Sequence, residues 1–383
     1  MRSVYKVAIV GGGTMGLDLA ALVARQDMPV VVKEVNDALA GRVREKFDQR
    51  VGGWLVKGKI NESRAEQLKM LFSVTSSYDG LKDADLVIEA VPENLELKKK
   101  IFEDLSHSLP NAILTSNTSS LPIGILTERV LNPDRMAGLH FFNPPTRMPL
   151  VELISSESTS QETLESLEVF TLETLAKTPI RVKDRPGFLV NVLLGAYLAP
   201  AIKAVETTKV SLSDIDDEAR KFGLPMGPFT LLDMLGVDVA HEVTKIFVNA
   251  YGDRFKDSLL LSHMVTAGLL GQKSGEGFYG DKFQELLERE FPRHTEGNAK
   301  TIFRDMIYAM VGEAAIALQD NVCSANDIET GCLLGLGFPQ GRGGPLHYAD
   351  EVGLASMVEV LGDKACNLLK DKAKEGSTFF ESF

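Results

Sequence analysis

The first 34 residues hold the pattern that most restricts what this chain can fold into. A continuous apolar run, KVAIV at 6–10, is followed by GGGTMG at 11–16 and then by apolar side chains at helical spacing. A second apolar run, VVVK at 30–33, leads directly to Glu34. A buried strand, a glycine turn, a helix and a second strand ending at an acid are typical of a dinucleotide-binding unit.

The glycine turn predicts NAD as the cofactor. Gly11 permits the tight turn, Gly13 lets the backbone approach a pyrophosphate, and Gly16 allows the helix to pack closely on the strand. The helix N-terminus offers N–H donors to the phosphates. A carboxylate at Glu34 would accept hydrogen bonds from the adenosine ribose and repel a 2′-phosphate, which favours NAD over NADP. The alternative is a glycine turn in an α/β domain that binds no nucleotide. The predicted cofactor contacts here are Gly11, Gly13, Thr14, Met15, Gly16 and Glu34.

The rest of the N-terminal part predicts a doubly wound, Rossmann-like α/β domain over residues 1–184. Further apolar runs indicate buried strands, and helical patterns separate the earlier ones. Residues 37–72 form a long polar helical excursion that could touch a second ligand. The predicted strands are 6–10, 30–33, 85–91, 113–117, 136–142 and 150–154.

From residue 184 onward the sequence predicts an all-α region made of two duplicated helical units, 185–282 and 299–383, with a charged linker at 281–300. In both units a Gly-Pro pair is followed by an aspartate five residues after the proline, and by a glycine three residues later. The matching residues are Gly227, Pro228, Asp233 and Gly236 in one unit and Gly344, Pro345, Asp350 and Gly353 in the other.

Composition restricts the class of ligand and the compartment. A net charge of −12 argues against a nucleic-acid partner. An anionic ligand would need a local basic patch, for which KKK at 98–100, Lys57 and Lys59 are candidates, although lysine runs are usually solvated faces. Three cysteines without CxxC spacing predict reduced thiols and no metal site. No leader pattern or membrane span is expected, and the predicted location is cytoplasmic.

Several polar residues follow the predicted strands at their carboxyl ends, where open α/β sheets bind ligands. They are Glu93, Ser119, His140 and Asn143. A histidine whose second nitrogen is held by a carboxylate is a suitable general base near neutral pH, so we expect Glu152 to pair with His140. The alternative is a core histidine and a surface glutamate. Ser119 and Asn191 are candidates to polarise a substrate oxygen, with turn capping and helix capping as the alternatives.

Six ordered motifs resemble the L-3-hydroxyacyl-CoA dehydrogenase family across essentially the whole chain. They are GGGTMG, DLVIEAVPENLELKKK, SNTSSL, GLHFFNPPTRMPLVE, RPGFLVN and GQKSGEGFY. The duplicated part resembles the tandem dehydrogenase units of bacterial fatty-oxidation multifunctional alpha subunits, and no hydratase portion is expected. Two departures are Glu34, where aspartate is usual, and Val192, where an arginine is common.

The resemblance implies a role for each candidate residue. His140 would be the base and Glu152 its partner, while Ser119 and Asn191 would contact the reacting oxygen. The nicotinamide and ribose side would be lined by Glu93, Lys98 and Asn143, and the coenzyme A substrate would contact Lys57 and Ser119.

The predicted function is reversible, NAD-dependent oxidation of (3S)-3-hydroxyacyl-CoA to 3-oxoacyl-CoA, with a separate hydratase or thiolase as potential partners. One alternative is a dehydrogenase of the same fold that acts on a free hydroxy acid, such as a gulonate-type enzyme. Another is a non-catalytic assembly subunit. The duplicated helical units predict a monomer with an internal pseudo-dimer, with a homodimer as the alternative.

Overall fold

The computed structural model describes residues 2–292 and 295–380. The chain divides into two compact units, Met1–Arg185 and Pro186–Phe383. The first unit is built on a sheet and the second on helices, so the change at residue 184 that the sequence predicts coincides with a real change of architecture.

The first unit contains one eight-stranded sheet. Its strands are β1 (Val7–Val10), β2 (Val30–Lys33), β3 (Phe72–Thr75), β4 (Leu86–Glu89), β5 (Ile113–Ser116), β6 (Met136–Phe141), β7 (Leu150–Ser155) and β8 (Thr178–Lys183). Their order across the sheet is β3-β2-β1-β4-β5-β6-β7-β8. The first six strands are parallel in the 3-2-1-4-5-6 order of dinucleotide-binding domains, and β7 runs antiparallel to β6.

Helices connect the parallel strands of this unit. They are α1 (Thr14–Ala24), α2 (Asp37–Val56), α3 (Glu62–Leu71), α4 (Leu95–Ser108), α5 (Ile123–Leu126) and α6 (Gln161–Val169). Asparagine N-caps fix the starts of the two excursion helices: Asn36 accepts a hydrogen bond from Leu39 N, and Asn61 from Arg64 N. The predicted helical excursion is therefore the pair α2 and α3, whose apolar side chains Phe47 and Leu68 are fully buried.

Within the eight-stranded sheet, two strands were not predicted from the sequence, β3 and β8. Both lie at the edges of the sheet. An edge strand pairs on one side only, so it does not require the continuous apolar run that marks β1 or β4. The segment FSVT of β3 has a single buried residue, and TPIRVK of β8 contains Pro179, which an edge strand tolerates.

The second unit is helical. Its helices are α7 (Val190–Thr207), α8 (Leu212–Phe222), α9 (Pro228–Leu235), α10 (Val237–Tyr251), α11 (Leu259–Thr266), α12 (Asp281–Glu290), α13 (Ala299–Gln319), α14 (Ala325–Gly331), α15 (Pro345–Val352), α16 (Leu354–Leu361) and α17 (Asn367–Glu375). A two-residue parallel pair joins β9 (Thr208–Lys209) to β10 (Thr295–Glu296). The predicted linker is wrong over residues 281–290, because these form α12, where Phe283 is fully buried. Residues 293–294 lie outside the described part of the chain.

The internal duplication extends to backbone geometry. The series α7 to α11 is repeated by α13 to α17, and the prolines of the two motifs open α9 and α15. Gly236 and Gly353 follow these helices with φ/ψ of 98°/125° and 95°/122°. Asp233 accepts a hydrogen bond from Phe278 N, and its counterpart Asp350 accepts one from Phe379 N. The two copies therefore share helix order, turn conformation and the carboxylate that fixes the end of each repeat.

In the second unit α7 and α13, the first helices of the two copies, pack against each other extensively. Their contact faces are buried and apolar, with Leu193 and Val205 on α7 and Ile307 and Val311 on α13 all at most 1% exposed. Over the described residues, no helix is long and apolar enough to cross a bilayer.

Candidate active site

The glycine turn has the geometry that dinucleotide binding requires. Gly11 adopts φ +100°, where a Cβ would lie 2.8 Å from the carbonyl oxygen of Ala90. At Gly16 a Cβ would collide with the carbonyl oxygen of Gly11, so only glycine lets α1 approach β1 this closely. Gly13 differs, because a Cβ there would meet no atom within 4 Å. The turn is thus closed against the protein at Gly11 and Gly16 and open at Gly13.

The open side of the turn suits a pyrophosphate. No side chain caps the N-terminus of α1, and its first turn carries no acidic residue. Its N–H groups and the positive end of the helix dipole are therefore available to an anionic ligand. Glu34 lies at the same turn, where its Oε1 accepts a hydrogen bond of 2.7 Å from Gly12 N. The backbone donors, the open space at Gly13 and the carboxylate of Glu34 fit a dinucleotide.

His140 and Glu152 form a buried pair on neighbouring strands. They occupy directly opposite positions of the antiparallel β6–β7 ladder. His140 Nδ1 lies 2.7 Å from Glu152 Oε2, and the two residues are 5% and 0% exposed. The expected contact between them is present. A carboxylate at Nδ1 selects the tautomer with the proton on Nδ1, which leaves the lone pair on Nε2 for proton transfer.

A second buried cluster lies at the ends of β4 and β5. Glu89, the last residue of β4, is fully buried and lies 2.8 and 2.9 Å from Lys98 Nζ through its two carboxylate oxygens. It also accepts hydrogen bonds from Ser116 Oγ at 2.6 Å and from Val91 N at 2.7 Å. Lys98 Nζ in turn lies 3.1 Å from Glu93 Oε2. Lys98 is 1% exposed and lies between the carboxylates of Glu89 and Glu93.

The cluster keeps Glu93 ionised at the rim of the sheet. Thr118 and Ser120, in the segment after β5, both donate hydrogen bonds to Glu93 Oε1. Partial burial raises the pKa of Glu93, but the charge of Lys98 and the hydrogen bonds outweigh it, so the pKa lies below its ordinary value. A carboxylate fixed in this way can accept hydrogen bonds from ribose hydroxyl groups.

The other predicted site residues fall at defined positions. Ser119 is half-buried between the two hydroxyl residues that hold Glu93, and Asn143 is exposed two residues after β6. Lys57 is exposed at the C-terminal end of α2 and lines a cavity of about 530 Å³ together with Gly12 and Gly13. Asn191 lies in the first turn of α7, in the second unit, so its approach to the other residues stays a prediction.

The sequence interpretation missed Glu89 and the polar residues around it. An acid within the apolar run DLVIEAV was the available signal, because a carboxylate in a buried strand needs a partner. Val192, a noted departure, is fully buried and packs with Ala196, Phe247 and Phe255 in an apolar cluster of the second unit. An apolar residue at that position therefore serves the core.

Comparison with known proteins gives two adjoining family matches. Residues 6–185 match the NAD binding domain of 3-hydroxyacyl-CoA dehydrogenase, and residues 187–281 match its C-terminal domain. The chain is 33% identical over 401 residues to the fatty acid oxidation complex subunit alpha of Shewanella baltica (strain OS185), covering 99% of this chain. It spans 56% of the length of that relative.

Two solved structures of similar fold are 3-hydroxybutyryl-CoA dehydrogenases. The 3-hydroxybutyryl-CoA dehydrogenase of Escherichia coli K12 superposes with a TM-score of 0.86 at 28% identity, covering 98% of this chain and 99% of that chain. The (S)-3-hydroxybutyryl-CoA dehydrogenase of Ralstonia eutropha gives a TM-score of 0.69 at 35% identity, covering 72% of this chain and 99% of that chain. Both likenesses extend over nearly the full length of the solved protein.

Proposed function

Because the chain belongs to the 3-hydroxyacyl-CoA dehydrogenase family, we propose that it oxidises (3S)-3-hydroxyacyl-CoA to 3-oxoacyl-CoA, reversibly and with NAD. The observation that carries this proposal is the buried contact of 2.7 Å between His140 Nδ1 and Glu152 Oε2. An acid–base pair beside a dinucleotide-binding turn supplies what an alcohol oxidation needs. One group takes the hydroxyl proton, and a cofactor site lies in the same unit.

The residues divide the work as follows. His140 takes the hydroxyl proton of the substrate at Nε2, and Glu152 stabilises the imidazolium that results. When bound, NAD supplies the acceptor for the hydride that leaves the same carbon. Ser119 and Asn191 donate hydrogen bonds to the substrate oxygen. Glu93, held by Lys98, orients the ribose next to the nicotinamide, and Asn143 completes that side of the site.

Replacement of the base tests the proposal. His140→Ala is expected to lower kcat by roughly 10²–10⁴-fold, because no other group holds a lone pair at that position. Turnover of acetoacetyl-CoA with NADH, followed by loss of NADH absorbance, measures the effect. His107→Ala, at an exposed histidine of α4, is the matched control and should keep normal turnover. Wild-type turnover in the His140 variant would contradict the assigned role.

The rival function is oxidation of a free hydroxy acid by the same acid–base pair. Turnover of acetoacetyl-CoA with NADH is compared with turnover of free sugar acids with NAD, at matched substrate concentrations. This comparison separates the two functions. A preference for the free acid would overturn the thioester assignment. Absence of turnover with either class would favour a non-catalytic subunit.

The wider setting is part of the proposal. The named relative is the alpha subunit of a fatty acid oxidation complex. We propose that this chain consumes or supplies acyl-CoA intermediates beside a hydratase or thiolase, in the cytoplasm. The predicted helical units, 185–282 and 299–383, would then act as an internal pseudo-dimer.

A further inference from the structure

We infer that Asp184 is a positioning residue of the site, because its carboxylate fixes the segment that carries Ser119 against the strand that carries His140. This inference rests on the proposed function and deepens it, since it identifies what holds a substrate-contacting hydroxyl in place. We call residues 117–124, from the end of β5 to the first turn of α5, the Ser119 segment.

The start of α5 has no cap of its own. Pro122 occupies the N-cap position and provides no side-chain hydrogen bond. The first N–H groups of a helix have no partner within that helix, so they need an acceptor from elsewhere. Asp184 supplies it. Its Oδ1 accepts a hydrogen bond of 2.8 Å from Ile123 N, and its Oδ2 accepts one of 2.6 Å from Gly124 N. Both carboxylate oxygens are thus bonded to the Ser119 segment.

Asp184 is itself fixed to the strand that carries Glu152. It directly follows β8, whose last residue, Lys183, pairs with Ser155 at the end of β7. Asp184 N donates a hydrogen bond of 2.9 Å to Ser155 O. Burial raises the pKa of Asp184, and the two backbone donors of α5 oppose that rise. The carboxylate therefore connects α5 to a backbone that the sheet already holds.

The apolar packing of the Ser119 segment leads to the same strand as the base. Ile123 is fully buried, and a Cβ at Gly138 would lie 3.0 Å from its Cδ1. Glycine at position 138 therefore leaves the room on β6 that Ile123 occupies. Side chains two residues apart in a strand point to the same face of the sheet. Ile123 thus lies on the face of β6 that also carries the His140 side chain.

The other end of the Ser119 segment is tied to β6 as well. Asn117 Oδ1 accepts a hydrogen bond of 2.9 Å from Phe141 N, and Phe141 directly follows His140. Ser119 therefore lies between an attachment to β6 on one side and the Asp184 anchor on the other. Without the carboxylate of Asp184 only the first attachment keeps its bond. The Ser119 hydroxyl would then spend less time at bonding distance from the substrate oxygen.

A double-mutant cycle tests this role. Asp184→Ala should lower kcat for acetoacetyl-CoA with NADH by roughly 10- to 100-fold, because a small displacement of a substrate-contacting group has this effect. Ser119→Ala should lower kcat by roughly 10²–10³-fold. The double variant should match Ser119→Ala within about 3-fold, because a residue that acts through Ser119 then has nothing left to position. Losses that multiply would overturn the inference, as would wild-type kcat in either single variant.

Asp85→Ala is the matched control. Asp85 is also partly buried, and its Oδ2 accepts hydrogen bonds from Tyr5 N at 2.8 Å and from Lys6 N at 3.0 Å. It precedes β4, at the amino ends of the parallel strands, on the opposite edge of the sheet from the site. This variant should lose stability in urea but keep wild-type kcat. An equal fall of kcat in the control would mean that the Asp184 effect reflects stability alone.

A second substitution covers failure of Asp184→Ala to fold. Asp184→Asn has the same shape and keeps one acceptor oxygen, so it should fold and lower kcat by roughly 3- to 10-fold. It takes the place of Asp184→Ala in the same cycle with Ser119→Ala. Wild-type kcat in Asp184→Asn, or a loss that multiplies with that of Ser119→Ala, would contradict the positioning role.

Amide hydrogen exchange separates this inference from the proposed function. Exchange at Ile123 and Gly124 should quicken by roughly 10-fold in the Asp184 variant and stay unchanged in Asp85→Ala. Unchanged exchange in the Asp184 variant would show that its carboxylate does not hold the Ser119 segment, whatever the substrate. If the wild-type protein fails to reduce acetoacetyl-CoA, the proposed function fails, and the exchange rates then decide the anchor by themselves.

Discussion

At the scale of single residues, the site depends on buried charges that hold one another. Glu89 has no predicted contact with substrate or cofactor, yet it fixes Lys98, which fixes Glu93. The family resemblance predicted Glu93 and Lys98 as site residues. It did not predict Glu89, because spacing along a strand does not reveal which residue of the next helix will contact it.

Glu89→Gln should destabilise the protein by about 3 kcal/mol, because Lys98 is left as a buried cation with half of its former partners. The free energy of unfolding in urea measures this. KM for NADH should rise as Glu93 loses its fixed position. Adding Lys98→Met should restore part of the stability, since the unpaired charge is then removed. A single variant within about 0.5 kcal/mol of wild type would contradict the arrangement.

At the scale of elements, the two helical copies differ at one buried carboxylate. Asp216 in the first copy accepts hydrogen bonds from Phe229 N and from the hydroxyl groups of Thr230 and Tyr279. Its counterpart Glu329 accepts from Leu346 N, but its Oε2 is buried with no hydrogen-bond partner among the described residues. Phe380 stands where the first copy has the tyrosine, so that hydroxyl donor is lost.

This difference predicts a pH-dependent stability. Burial raises the pKa of Glu329 to about 8, a value to which nearby Asp350 also contributes, while backbone donors act in the opposite direction. The folded protein thus holds a proton that the unfolded chain has lost above its ordinary pKa. Stability should fall as pH rises from about 5 through about 8, by roughly 3–5 kcal/mol from this group.

Glu329→Gln should abolish that fall, because the amide cannot ionise. Unfolding free energies at about pH 6 and about pH 9 give the measurement. His347 Nδ1, 3.7 Å from Glu329 Oε1, and the buried thiol of Cys332 share this environment, and the variant retains both side chains. Glu359→Gln, at an exposed glutamate of α16, should keep the wild-type slope. An identical slope in the Glu329 variant would contradict the assignment.

The elements also show why sequence analysis succeeded where it did. Strands buried on both faces, such as β1 and β4, are recognisable in the sequence as apolar runs. The turn between β1 and α1 is recognisable because a Cβ at Gly11 or Gly16 would collide with a backbone carbonyl oxygen. Edge strands and α12 carry mixed polar patterns, because one of their faces meets solvent. Their burial depends on tertiary neighbours that no local pattern encodes.

At the scale of the whole molecule, the paired copies bear on assembly. The close packing of α7 on α13 buries apolar surface that a single copy would expose. We therefore expect a monomer of 41.8 kDa in sedimentation equilibrium, active across a range of protein concentrations. An obligate dimer that loses activity on dilution would contradict this expectation. Two short motifs in the sequence predict the duplication, whereas the packing of α7 on α13 depends on contacts between residues far apart in the chain.

The antiparallel pairing of β6 with β7 has a consequence for how chains of this fold can diversify. His140 and Glu152 are set opposite each other by strand register, so their alignment is independent of the residues that connect the two strands. The connection at 142–149 can lengthen, shorten or change its charges while the two side chains keep their pairing. A slip of one residue along either strand would instead send the two side chains to opposite faces of the sheet and separate the imidazole from the carboxylate.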